Sequence, residues 1–315
     1  MAENGRILTI PETYVTAPHS PIRITNYPEW SLEKTPIQIV KFNRPKKLNS
    51  ITEDMIDTLQ GFFTTVNLDD EVKVIILTGT GKTFSAGIDL NMDLSHGRQV
   101  PANELRDPGG TLALSMFNCS KPIIVAYNGL AVGIGMTSTL AAAIRIASED
   151  SEFGFPFARI GLTMESCSSF FLPRMVGYSN ATYLLATGKR FPAKSSVLHG
   201  VFAEIVPTAK DVLPRAIEIA EDILRNVSTM AIHLNRQLIW RNPGSAEKAH
   251  LVDSPVLYDM FAGKDHLEFK KAFFNKSAPI FTDVLSKNPP RTYPWWTTLS
   301  VEGRSKAHDA AGSKL

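Results

Sequence analysis

The chain has 315 residues, 43% hydrophobic and 20% charged, which suits a soluble globular protein with room for one large domain or two ordinary ones. Its net charge of +2, with basic residues scattered beyond short pairs such as Lys46-Lys47 and Lys270-Lys271, gives no argument for nucleic acid or a membrane surface as partner. Two cysteines, Cys119 and Cys167, are too few for a disulfide framework and lack zinc-site spacing, and no apolar run reaches the ~18 residues of a membrane span.

The first residues lack the basic-then-apolar order of a secretory signal. Prolines at 11, 18, 21 and 28 mark residues 1–35 as an irregular N-terminal arm. Residues 36–42 alternate as a strand, turned by Asn43-Arg44-Pro45. Thr52 is predicted to cap a helix over 53–66 with Met55, Leu59, Phe62 and Phe63 on its buried face. The β-branched run 72–78 reads as a buried strand, and 79–90 as a glycine-punctuated loop leading into a helix. Residues 91–110, polar and carrying Pro101, Pro108, Gly109 and Gly110, read as a mobile insertion. A helix over 111–119, a strand over 123–127, a second glycine-rich turn over 128–135, a small-residue helix over 136–143 and a strand over 144–148 follow. Beyond residue 173, helices are predicted at 180–187 and 193–199, a strand at 201–206, then helices at 212–225, 229–240 and 253–274. Strands alternating with helices, then helices alone, predict an α/β core over 36–210, a helical region over 211–276 and an irregular tail over 277–315.

The chemistry centres on residues 153–173, FGFPFARIGLTMESCSSFFLP, where Glu165 is the one carboxylate in an otherwise apolar run. Apolar surroundings raise a carboxyl pKa and suit a general base; a solvated loop or the first turn of a helix would also accept an acid there. Two glycine-rich turns follow strands: Phe84-Ser85-Ala86-Gly87-Ile88-Asp89-Leu90, and Asn128-Gly129-Leu130-Ala131-Val132-Gly133-Ile134-Gly135, which opens a helix. Such turns leave backbone N–H groups unpaired, and two aimed at one point would make an oxyanion hole. The P-loop lysine pattern, GxGxxG, HExxH and GxSxG are all absent.

The NRP…LNS segment (43–50), FSAGIDL, the NG-x-A-x-G-x-G turn and the FGFP run together resemble the crotonase, or enoyl-CoA hydratase/isomerase, superfamily over about residues 36–274. The resemblance implies a ββα spiral core with a helical C-terminal trimerisation part. It implies oxyanion donors at the N–H groups of Ile88 and Ile134, and a pocket for the CoA thioester lined by Ala86, Gly87, Ile88, Asp89, Leu90, Gly133 and Ile134, with Lys47 and Leu48 bordering the CoA. Where hydratases of the family carry two glutamates, this chain has Thr137 and Phe157. Pro156, Phe157, Gly161 and Glu165 instead resemble the peroxisomal 3,2-enoyl-CoA isomerase branch, with Ser166 in place of the glycine common after its glutamate.

That resemblance implies isomerisation of a 3-enoyl-CoA to the trans-2-enoyl-CoA by one glutamate, with no metal or redox cofactor and CoA entering as part of the substrate. Phe153, Phe155, Phe157 and nearby leucines are expected to wall the pocket or to pack the core. Asp89 is expected to stabilise its loop rather than to catalyse. A homotrimer or dimer of trimers is expected from the resemblance. The terminal Ser313-Lys314-Leu315 reads as a peroxisomal address taken by an import receptor. Hydration or dehydration of a specialised acyl-CoA, or a catalytically silent acyl-CoA-binding subunit, are the rival expectations.

Overall fold

Two mixed sheets, packed together through buried aromatic side chains, carry the functional loops. The computed structural model describes residues 9–92, 101 and 104–301, and the backbone alone of 2–3 and 6–7. Its strands are β1 (Ala2–Glu3), β2 (Arg6–Ile7), β3 (Ile22–Tyr27), β4 (Ile37–Phe42), β5 (Val74–Gly79), β6 (Thr83–Ser85), β7 (Ile123–Tyr127), β8 (Leu130–Val132), β9 (Ile144–Ser148), β10 (Glu152–Gly154), β11 (Arg190–Pro192) and β12 (Glu204–Val206). The helices are α1 (Glu53–Leu68), α2 (Pro108–Asn118), α3 (Ile134–Thr137), α4 (Ser168–Thr187), α5 (Ala209–Asn226), α6 (Thr229–Trp240), α7 (Ala246–Phe261) and α8 (Lys264–Asn275). The larger sheet runs β12-β9-β7-β5-β4-β3 and the smaller β11-β10-β8-β6. Within these two sheets all neighbours are parallel except the edge pairs β3–β4 and β10–β11, and β1 and β2 form a separate antiparallel pair.

A parallel sheet is covered on both faces, so its strands read as nearly continuous apolar runs. Alternate residues then divide between two cores. Ile37, Ile39, Val74, Ile76, Ile124 and Ala126 pack under Val212, Ala216, Ala220 and Ile223, which form one stripe of α5. Val40, Phe42, Ile75, Leu77, Val125 and Tyr127 face the other way, toward α1, α2 and the smaller sheet. Edge-to-face contacts Phe84–Tyr127 (4.7 Å) and Tyr127–Phe153 (5.2 Å) tie the two sheets together.

Several expectations are corrected. The arm over 1–35 contains β3, six residues paired with β4 along their length; an edge strand accepts flanking prolines such as Pro21 and Pro28, which hid it. Thr52 is the N-cap of α1, but its side chain makes no capping hydrogen bond. The loop over 79–90 contains β6. Part of the presumed insertion, 93–100 and 102–103, lies outside the described residues, yet α2 already begins at Pro108. The helix expected over 253–274 is two, α7 and α8, with Gly263 capping the second. Residues 277–301 form no helix or strand, and Ser313-Lys314-Leu315 lies outside the described residues. Among the described residues no helix is long and apolar enough to cross a membrane.

Candidate active site

The NRP…LNS segment acts as a brace for the first glycine turn. Asn49, fully buried, receives the Arg44 N–H on its Oδ1 (2.8 Å) and donates from Nδ2 to the carbonyls of Thr80 (3.0 Å) and Thr83 (2.6 Å). Arg44 Nη1 reaches Ser50 O (2.7 Å) and Asp89 Oδ2 (2.9 Å). Ile51 donates to Gly87 O (2.8 Å) and accepts from the Asp89 N–H (2.9 Å). The bridge thus uses the groups on either side of Ile88 and turns the Ile88 N–H away from it.

The second turn ends at Gly133, the N-cap of α3, so Ile134 is the first residue of that helix and its N–H has no intrahelical acceptor. The two turns meet backbone to backbone. Gly87 sits at φ +96°, and a Cβ there would stand 3.0 Å from Val132 O; a Cβ on Gly135 would stand 2.6 Å from the Ser85 Cβ. Ile88 and Ile134 line one cavity of about 580 Å³, within the range of small-molecule sites.

Glu165 lines the same cavity. The Thr137 hydroxyl donates to its Oε1 and the Ser166 hydroxyl to its Oε2. Burial is the strongest influence on its acidity and outweighs both donors; with the negative charge of Asp107 nearby, it pushes the carboxyl up to about 7. The loop that presents it is left-handed at Ser166 (φ +56°) and Cys167 (φ +54°), where a glycine would sit more cheaply than serine.

Asp107 holds this loop to α2. Its carboxylate caps the helix by accepting from Gly109 N (2.9 Å) and Gly110 N (2.8 Å), and also accepts from Ser166 N (2.7 Å). Gly109 brings the backbone of α2 against the Glu165 carboxylate. Sequence reasoning missed both, placing them in an insertion. Asp107-Pro108 is nevertheless a helix-start signature, an N-cap acid followed by proline at the first helical position.

Of the residues expected at the site, Glu165, Ile88, Ile134, Ala86, Gly87, Asp89, Leu90 and Gly133 line the cavity. Lys47 and Leu48 do not; both side chains are exposed, and Leu48 contributes its carbonyl to the Ala86 N–H (3.0 Å). Asp89 is bound to Asn91 and Arg44, which hold its carboxyl down to about 2. Of the three phenylalanines, Phe157 lines the cavity, whereas Phe153 and Phe155 are fully buried core residues.

The enoyl-CoA hydratase/isomerase family matches residues 33–284. The chain is 41% identical over 249 residues to the enoyl-CoA hydratase ACTT3 of Alternaria alternata, covering 79% of this chain and 84% of that protein. It is 29% identical over 255 residues to the 1,2-epoxyphenylacetyl-CoA isomerase of Escherichia coli (strain K12), covering 78% of this chain and 95% of that protein. A solved enoyl-CoA hydratase from Bacillus anthracis superposes with a TM-score of 0.72 at 26% identity, covering 84% of this chain and 99% of that one. With its two braced glycine turns and its α/β core, this chain is an enzyme of the crotonase, or enoyl-CoA hydratase/isomerase, family.

Proposed function

We propose that the protein moves a double bond within an acyl-CoA, converting a 3-enoyl-CoA to the trans-2-enoyl-CoA, as the peroxisomal isomerase branch of the family does. The observation that carries this reading is the carboxylate inventory of the cavity. Glu165, raised to about 7, is available as a base, whereas Asp89 is engaged by Arg44 and Asn91, and Asp107 by three backbone N–H groups. At both positions where hydratases of the family carry their two glutamates, this chain has other residues, Thr137 and Phe157.

In this mechanism the thioester oxygen lies between the N–H groups of Ile88 and Ile134. Glu165 takes the proton from C2, and the electron pair moves into the enolate, whose oxyanion the two N–H groups stabilise. The protonated Glu165 then delivers the proton to C4, leaving the double bond between C2 and C3. No group is consumed, and the carboxylate returns to its starting form. A pKa near neutrality suits both halves of this shuttle. Peroxisomal import through Ser313-Lys314-Leu315 and a homotrimer or dimer of trimers belong to the same reading; exposed Phe269, Phe273 and Phe274 on α8 favour assembly.

Hydration is the second reading, favoured by the name of the 41%-identical relative, an enoyl-CoA hydratase. Turnover of a 3-enoyl-CoA and, in parallel, of a trans-2-enoyl-CoA, followed by the ultraviolet absorbance of the conjugated thioester and by product mass, separates the two. Conjugation at constant mass, lost in Glu165→Gln, supports isomerisation. A product heavier by one water supports hydration, and activity that survives Glu165→Gln removes Glu165 from the mechanism.

A further inference from the structure

Behind Glu165 lies a second cavity, of about 500 Å³. It shares Asp107, Thr163 and Glu165 with the first, so the carboxylate stands on the boundary between the two. Leu114, Met164 and Cys167 contribute to its wall, and Val301 stands among them.

Val301 belongs to no helix or strand and lies far along the chain from every other residue of that wall. The C-terminal segment brings it there, and that segment is fastened at intervals. Asp283 accepts from Asp265 N (2.9 Å), and Ser286 Oγ donates to both oxygens of Asp70 (2.9 and 2.8 Å). Arg291 forms a two-pronged pair with Asp259 (2.9 and 2.6 Å). Tyr293 OH bonds the buried His233 Nε2 (3.0 Å), and the Arg241 guanidinium lies 4.1 Å from the centre of the Trp296 ring. The last fastening is at the cavity itself, where Arg106 Nε donates to Val301 O (2.9 Å). Arg106 immediately precedes Asp107, the residue that holds the Glu165 loop. A segment with no helix or strand is thus led back to the catalytic carboxylate by its own side chains.

A linear thioester with its oxygen at Ile88 and Ile134 and its reacting carbons at Glu165 must carry the rest of its chain past the carboxylate. We propose that the cavity behind Glu165 receives the distal acyl chain, and that Val301, held at its rim by Arg106, is a specificity residue that sets the longest chain the enzyme accommodates. The inference rests on the acyl-CoA reading above. Val301 is 44% exposed, so its side chain can be enlarged or trimmed without opening the core.

Saturated straight-chain acyl-CoAs test this by binding alone, because they carry no double bond to move or hydrate. Dissociation constants are measured calorimetrically for free CoA and for butanoyl- through dodecanoyl-CoA, on the full chain and on Val301→Trp and Val301→Ala. Affinity is expected to rise about fourfold per added CH₂, equivalent to ~0.8 kcal/mol, until the chain meets residue 301, and then to level or fall. Val301→Trp is expected to move that break to shorter chains and Val301→Ala to longer ones; a moved break with either variant supports the wall, even if the other fails to fold. Binding with no break, or with a break at the same length in every variant that folds, overturns it while leaving the acyl-CoA reading standing. Failure of free CoA and every acyl-CoA to bind overturns both.

Discussion

Gly109 presents its Cα to the carboxylate of Glu165, so closely that an added methyl group would collide with Oε2 and with the Ser166 hydroxyl. Both of those atoms end side chains that can turn, so Gly109→Ala is expected to displace the carboxylate rather than unfold α2. Displacement by about 1 Å is enough to cost on the order of 10²-fold in rate. Steady-state kinetics should show kcat falling by about that much with the melting temperature little changed; wild-type kcat in the variant would mean the carboxylate has room to spare.

The raised pKa of Glu165 makes activity and stability respond oppositely to pH. A base works deprotonated, so kcat/KM is expected to rise as pH passes about 7 and to level above it. For stability, the folded protein keeps a proton that the unfolded chain, with a value near 4.5, has already lost. The stabilising contribution is therefore complete below 4.5 and is lost as pH rises through about 7. Glu165→Gln should gain stability relative to wild type across that interval, by about 1–3 kcal/mol, in denaturant titrations at the two ends.

Two substitutions should shift the activity limb in opposite directions. Thr137→Val removes a hydroxyl that favours the charged carboxylate, so the limb moves to higher pH. Asp107→Asn removes a neighbouring negative charge, so the limb moves to lower pH, while the amide oxygen retains part of the α2 cap at a cost of about 1 kcal/mol in stability. A pH profile of kcat/KM for both variants checks the signs, and movement in the same direction would remove Glu165 as the titrating group.

Ser166→Gly separates backbone strain from hydrogen bonding. At φ +56° a glycine should stabilise the fold by ~1 kcal/mol, measured by thermal or denaturant unfolding. Loss of the hydroxyl on Oε2 should at the same time raise the Glu165 pKa further and carry the activity limb upward.

Local sequence made much of this protein legible. β7 falls on its predicted run because a fully buried parallel strand needs continuous apolar residues, and β9 falls on its own through Ile144, Ile146 and Ala147. Glu165, Gly87 and Gly133 were visible as a lone carboxylate in an apolar run and as glycines at loop–strand junctions, which are local signals. β3 was hidden because strand formation there depends on β4 as partner, and two prolines mask its short alternation.

Tertiary structure alone decided what surrounds the carboxylate. Burial, the hydroxyls of Thr137 and Ser166, and the charge of Asp107 set its acidity, and only packing brings α2 and α3 to that loop. Lys47 and Leu48 carry the family pattern, yet neither lines the cavity and both side chains are exposed, while their segment braces the Ile88 loop through its backbone and through Asn49. Sequence determined which groups could act as base and donors, since residue type and turn chemistry are local properties. Which groups meet, and with what acidity, depended on contacts between residues such as Glu165, Gly109 and Thr137, whose proximity no local pattern encodes.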